Sequence, residues 1–182
     1  MFISSLALSA MACQSPAQPA GIPPEWETRK DIEIFVGQVK RIGPLLDELK
    51  PGEWAAKGAS PAYASQLKSA QDSLGYILNT AQRLAATPDR LTLVLEIYFR
   101  LQSLETLVAS LTEGTARYQN PALGELLNGV VGENSVNKEK LRQYMFDLAA
   151  VKEAEFGLLD KEAQRCRGVN VSPPAAKKGT PK

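Results

Sequence analysis

The sequence predicts an all-α fold, an up-and-down bundle of four long helices plus one short helix. Three observations carry this. Apolar side chains recur at steps of three and four through most of the chain, no stretch alternates convincingly with period two, and Ser-Pro, Thr-Pro and Asn-Pro pairs beginning at Ser60, Thr87 and Asn120 read as helix starts.

The first helix is expected from Ile32, Phe35, Val39, Ile42, Leu46 and Leu49, which form a narrow, coiled-coil-like seam. Gly43-Pro44 falls inside this pattern. Because the spacing continues past it unchanged, Pro44 reads as a kink within one helix, and the helix should end near Lys50, where Pro51-Gly52 cannot continue it. A second helix starts at Ser60-Pro61, a capping serine with proline in the first turn, and buries Tyr63, Leu67, Ala70, Leu74, Ile77, Ala81 and Leu84. Thr87-Pro88 repeats the cap after a short turn, so the second and third helices should fold back on each other.

The third helix, about Pro88 to Thr112, is the most apolar; its polar residues fall on a narrow stripe through Thr92, Glu96, Ser103, Thr106 and Ser110. Such a helix belongs in the middle of a bundle or at a subunit interface. Glu96 and Arg100 interrupt it, which argues against a membrane span, and their spacing predicts a helix ion pair. Asn120-Pro121 opens the short helix, carrying Leu123, Leu126, Leu127, Val130 and Val131, which Gly132 to Ser135 should end. A long final helix then runs from about Asn137 to near Arg167 on Leu141, Tyr144, Met145, Leu148, Val151, Phe156, Leu158 and Leu159. Glu155 and Glu162 fall where an extrapolated heptad would want apolar side chains, so its far end should be partly exposed.

Four stretches follow from this pattern: a signal-peptide-like segment over 1–12, a Pro/Ala/Gln-rich tether over 13–24, the helical bundle domain over 25–167, and a disordered tail over 168–182. Met1 to Ala12 carries no charge and ends in Ala10 and Ala12, an A-x-A cleavage pattern, too short to cross a bilayer. The segment resembles a bacterial lipoprotein signal, in which a small residue precedes a cysteine that is lipidated; Ala10 stands where leucine is usual, and no lysine or arginine precedes the apolar run. That resemblance implies lipidation of Cys13, followed by a tether that holds the bundle off a membrane surface. In the tail, Lys177, Lys178 and Lys182 read as solvated, with contact to an acidic surface as the alternative.

Cys13 and Cys166 are the chain's two cysteines. Either they pair in an oxidising compartment, or Cys13 is acylated and Cys166 is left as a free thiol, buried as a small hydrophobe or exposed and able to join two chains.

Charged residues make up 23% of the 182-residue sequence, with 21 Lys and Arg against 20 Asp and Glu and no face-long basic stripe, so nucleic acid is not an expected partner. The sequence contains no histidine, which removes histidine triads, the commonest zinc ligand and the usual haem ligand. No glycine pattern of the kind that cradles phosphates is present. Glu153 with Glu155 and Asp160 with Glu162 lie two apart on a helix and point in different directions, so neither pair converges on one substrate atom. No catalytic residue, metal site or cofactor is therefore expected. Trp26 and Trp54 should cap the ends of the core, with an exposed binding anchor as the alternative; Tyr98, Phe99, Tyr144 and Phe156 should fill the core.

The function these features predict is an exported, membrane-tethered binding or scaffolding subunit of the bacterial cell envelope, without catalytic activity and with a protein partner or a second copy of itself. The alternative is a periplasmic carrier of a small apolar ligand, held between the third and final helices.

Overall fold

The computed structural model describes residues 21–170, with side chains from 21 to 167. The signal-like segment, Cys13, the tether up to residue 20 and the tail lysines Lys177, Lys178 and Lys182 lie outside the described residues. Within them 87% of residues are helical and none is in a strand, so the fold is an all-α bundle.

The elements run α1 (Glu25–Lys40), α2 (Ile42–Asp47), α3 (Pro51–Trp54) with a single 3-10 turn over Ala55–Lys57, α4 (Ala62–Ala86), α5 (Leu91–Tyr118), α6 (Pro121–Glu133) and α7 (Ser135–Asn170). They assemble as four rods. The first is α1 with α2, whose expected seam holds: Ile32, Phe35, Val39, Ile42, Leu46 and Leu49 are all buried. The break falls at Arg41, before Pro44. Proline lacks an N–H and its ring clashes with the carbonyl four residues back, which is that of Lys40, the last residue of α1. Arg41 N–H bonds Gln38 O instead, a tighter turn that keeps the seam in register.

Pro51 begins α3 as its first residue, where the sequence predicted only a stop. This short hook drives Trp54 into the end of the bundle, where it is 1% exposed. Its indole N–H donates to Gln119 Oε1 at 2.9 Å; Lys50 N–H donates to the same oxygen at 3.0 Å, and Gln119 Nε2 donates to Glu48 O at 2.8 Å. The Tyr63 ring meets Trp54 edge-on at 5.4 Å and the Tyr118 ring stacks at 6.4 Å. Gly114 makes room for them: a Cβ there would lie 2.8 Å from Trp54 Cζ3 and 2.9 Å from Tyr63 Cε1.

Two of the three expected caps operate. Ser60 Oγ accepts from Ala62 N–H at 3.3 Å and Asn120 Oδ1 from Ala122 N–H at 3.0 Å. Thr87 instead closes the helix before it, its hydroxyl and its N–H both bonding Arg83 O, and α5 starts at Leu91 and continues to Tyr118. Glu96 and Arg100 do not pair with each other as expected. Both turn to Tyr76 on α4, whose hydroxyl donates to Glu96 Oε2 at 3.1 Å while the Arg100 guanidinium lies 4.2 Å from the ring centroid.

The fourth rod is α6 followed by α7, separated only by Asn134. Both run against α5: Gly124 approaches Thr112 and Ala116, Lys138 pairs with Glu105, and Tyr144 reaches Pro88 in the turn that leads into it. They also run against the first rod, through Arg41 with Glu133, Gln38 with Asn137 and Asp31 with Lys140. The short helix is thus the first section of the last rod. As expected, α5 is central, packing against α4, α6 and α7.

Candidate functional site

Two features of α7 stand outside the bundle's own packing: the stretch beyond the bundle's end, and the cleft between α7 and α1.

Along α7 the face turned to the core is Leu141, Met145 and Leu148. The same three-four steps continue through Lys152 to Phe156, Leu159 and Ala163. Past Val151 the helix outruns the turn between α4 and α5, and from Glu153 onward every described side chain except Gly157 is exposed. Among the described residues, 153–167 therefore extend about 22 Å beyond their last neighbours. Phe156 is 73% and Leu159 68% exposed. Phe156 is not a core residue, contrary to expectation, because no described element reaches it; Phe99, on the solvent side of α5, is exposed too. Glu155 and Glu162, as suspected, are solvated, each bound to a neighbour, Lys152 and Arg165. No described helix is long and apolar enough to cross a membrane.

Cys166 is exposed in this projecting stretch and has no disulfide partner among the described residues. Trp26, expected to cap the core, is 68% exposed on α1, because the seam of that helix runs through Thr28, Ile32 and Phe35 and leaves position 26 on the solvent side. Trp54 is the capping tryptophan.

The cleft forms because α1 and α7 meet through polar side chains and not through interlocked apolar ones. Lys140 Nζ reaches Asp31 Oδ1 at 3.0 Å and Asn137 donates to Gln38 Oε1. Between and beyond these links lies a cavity of about 300 Å³. Its buried lining is Thr28, Ile32, Phe35, Leu84, Ile97, Asn137 and Leu141; its more exposed rim carries Glu27, Asp31, Lys140, Gln143, Tyr144 and Asp147. The ligand space predicted from sequence lay between the third and final helices; α5 supplies only Ile97 to the floor, and α1 forms the other wall.

Tyr144 closes one end. Its hydroxyl donates to Pro88 O at 2.6 Å. Half-burial pushes its pKa above the ordinary value of 10.0, the nearby carboxylates of Asp89 and Glu25 add to the rise, and the adjacent Thr28 hydroxyl offsets part of it. Thr28 Oγ1 nonetheless makes no hydrogen bond of good geometry, although the residue is only 5% exposed.

A phenol held neutral by the fold stabilises it up to the pKa of the unfolded chain, near 10, and loses that contribution as pH rises through the higher folded value. Tyr144→Phe is expected to cost about 1 kcal/mol at neutral pH and to flatten the loss of stability above pH about 10. Urea denaturation at several alkaline pH values measures both; a variant as alkali-sensitive as the parent would contradict the assignment.

No group of three or more metal-ligating side chains gathers among the described residues. Compared with family models, curated proteins and solved structures, the chain finds no match in any of the three.

Proposed function

We propose that this chain is a non-catalytic scaffolding protein of the bacterial cell envelope that pairs with a second copy of itself through the projecting end of α7. The observation that carries the reading is the continuation of the core-facing stripe of α7 past the bundle as exposed Phe156, Leu159 and Ala163. An apolar stripe on a free helix is stabilised by burial against another helix.

Side-chain size and charge favour a second copy laid antiparallel. A crossing centred just past Leu159 sets Phe156 opposite Ala163 of the second copy, large against small. It also brings Glu153 near Arg167 on the same flank of the pairing face. Asp160 then meets its own copy near the axis, a like-charge cost that solvent screens. A parallel pair would instead set Glu153 beside Glu155 and Asp160 beside Glu162 of the second copy, acid against acid.

One helix pair of this length is a small interface, and pairing gains from confinement to a surface. The signal-like segment ahead of Cys13 and the proline-rich tether support such confinement, with an acyl chain on Cys13 as the anchor. Sedimentation of the full chain over a wide concentration range tests the proposal: a monomer–dimer equilibrium is expected, and a strict monomer at millimolar concentration would overturn it.

A second reading, carriage of a small ligand, is favoured by the cleft between α1 and α7.

A further inference from the structure

We propose that the cleft between α1 and α7 takes a small amphiphile with a cationic head group, an alkylammonium, its tail on the floor of Ile32, Phe35, Ile97 and Leu141 and its nitrogen at the rim. This inference rests on the ligand-carriage reading and is independent of self-pairing.

The hydrogen-bonding state of the cleft decides the sign of the ligand. Its donors are engaged within the protein: Lys140 with Asp31, Asn137 with Gln38, Gln143 with Asp147 Oδ1, and the Tyr144 hydroxyl with Pro88 O. Its acceptors are in surplus. Glu27 has no ion-pair partner among the described residues, and Asp147 bonds through one carboxylate oxygen. Beneath them Thr28 Oγ1 is buried beside the Tyr144 phenol without a hydrogen bond of good geometry, and its oxygen can still accept from a ligand atom. A ligand entering here meets two rim carboxylates, Glu27 and Asp147, with lone pairs to spare, and an N–H-rich cation supplies donors for them. An anion would find one lysine already neutralised by Asp31.

The field has the same sign. Asp31 and Lys140 cancel, which leaves Glu27 and Asp147 on the rim, and Glu25 and Asp89 stand near enough to act on the Tyr144 phenol. The size of the cleft bounds the tail: about 300 Å³ lies at the lower end of known ligand pockets. That suits one short chain or a small ring and excludes a two-chain lipid.

Decylammonium, decanol and decanoate, titrated below micelle formation into the full chain by calorimetry, test this. Two-dimensional NMR locates the bound probe, and Phe156→Asp/Leu159→Asp serves as the background in which the exposed stripe no longer competes. Decylammonium is expected to bind about tenfold more tightly than either of the others, the advantage two partly solvated carboxylates provide. That preference should shrink as salt is added. Shifts should centre on Thr28, Ile97 and Leu141, and Glu27→Gln/Asp147→Asn, both near the surface and compatible with folding, should bring the three probes to within about twofold of one another. Equal binding of all three to the parent would overturn the charge preference and leave ligand carriage standing. Tightest binding of decanoate would overturn the preference outright. No binding, or shifts confined to other surfaces, would overturn both.

Discussion

Trp54→Ala is expected to cost about 3–5 kcal/mol of folding stability, which lowers the thermal midpoint by roughly 10 °C or more. The indole is completely enclosed, so its removal loses the transfer energy of a large ring and leaves a cavity that the neighbouring helices cannot close. Tyr63 and Tyr118 lose their ring partner, and Gln119 loses a bond that ties α5 to the hook formed by α3. The space at Gly114, kept open for the ring, becomes part of the void. Trp26→Ala is the internal control: on an exposed position it should change stability by no more than about 0.5 kcal/mol. Chemical and thermal denaturation followed by circular dichroism separates the two, and equal effects would contradict the placement of Trp54.

Phe156→Asp/Leu159→Asp should have the opposite profile. Neither side chain packs on the bundle, so the denaturation midpoint of the monomer should stay where it is. Self-association should weaken about a hundredfold or more, because each copy loses two large apolar side chains from the pairing face and gains two like charges on it. Loss of stability without change in association would mean that the stripe is part of the fold; no change in either would leave the exposed side chains without a role.

The seams were legible because burying one face of a helix demands apolar side chains at a period near 3.6, and every seam position of the first two expected helices is buried or partly buried. Boundaries were less so. The letters of a cap recur at Ser60, Thr87 and Asn120, but whether a hydroxyl serves the helix ahead or the one behind is settled by backbone geometry, and Thr87 serves the one behind. Pro44 showed where the first helix would be disturbed; the break itself falls three residues earlier, since the clash is with a carbonyl upstream.

The exposure of the far end of α7 was legible, but its apolar face was not. Extrapolating a strict heptad from Leu141 and Leu148 lands on Glu155 and Glu162, whereas a straight helix drifts from that repeat, and its true face runs on through Phe156, Leu159 and Ala163. The cleft left little trace in the sequence. It depends on what fails to interlock between α1 and α7, and on a threonine, Thr28, in a seam position where polar and apolar roles look alike.

The most direct test of self-pairing is disulfide trapping with Leu159→Cys in a Cys166→Ser background, compared with Cys166 left alone. Antiparallel pairing brings the two copies of position 159 together at the axis and keeps the two Cys166 residues about 20 Å apart along the helices, beyond the reach of a disulfide. Under mild oxidation a covalent dimer is expected through position 159 and none through Cys166; a dimer through Cys166 with none through 159 would contradict the account.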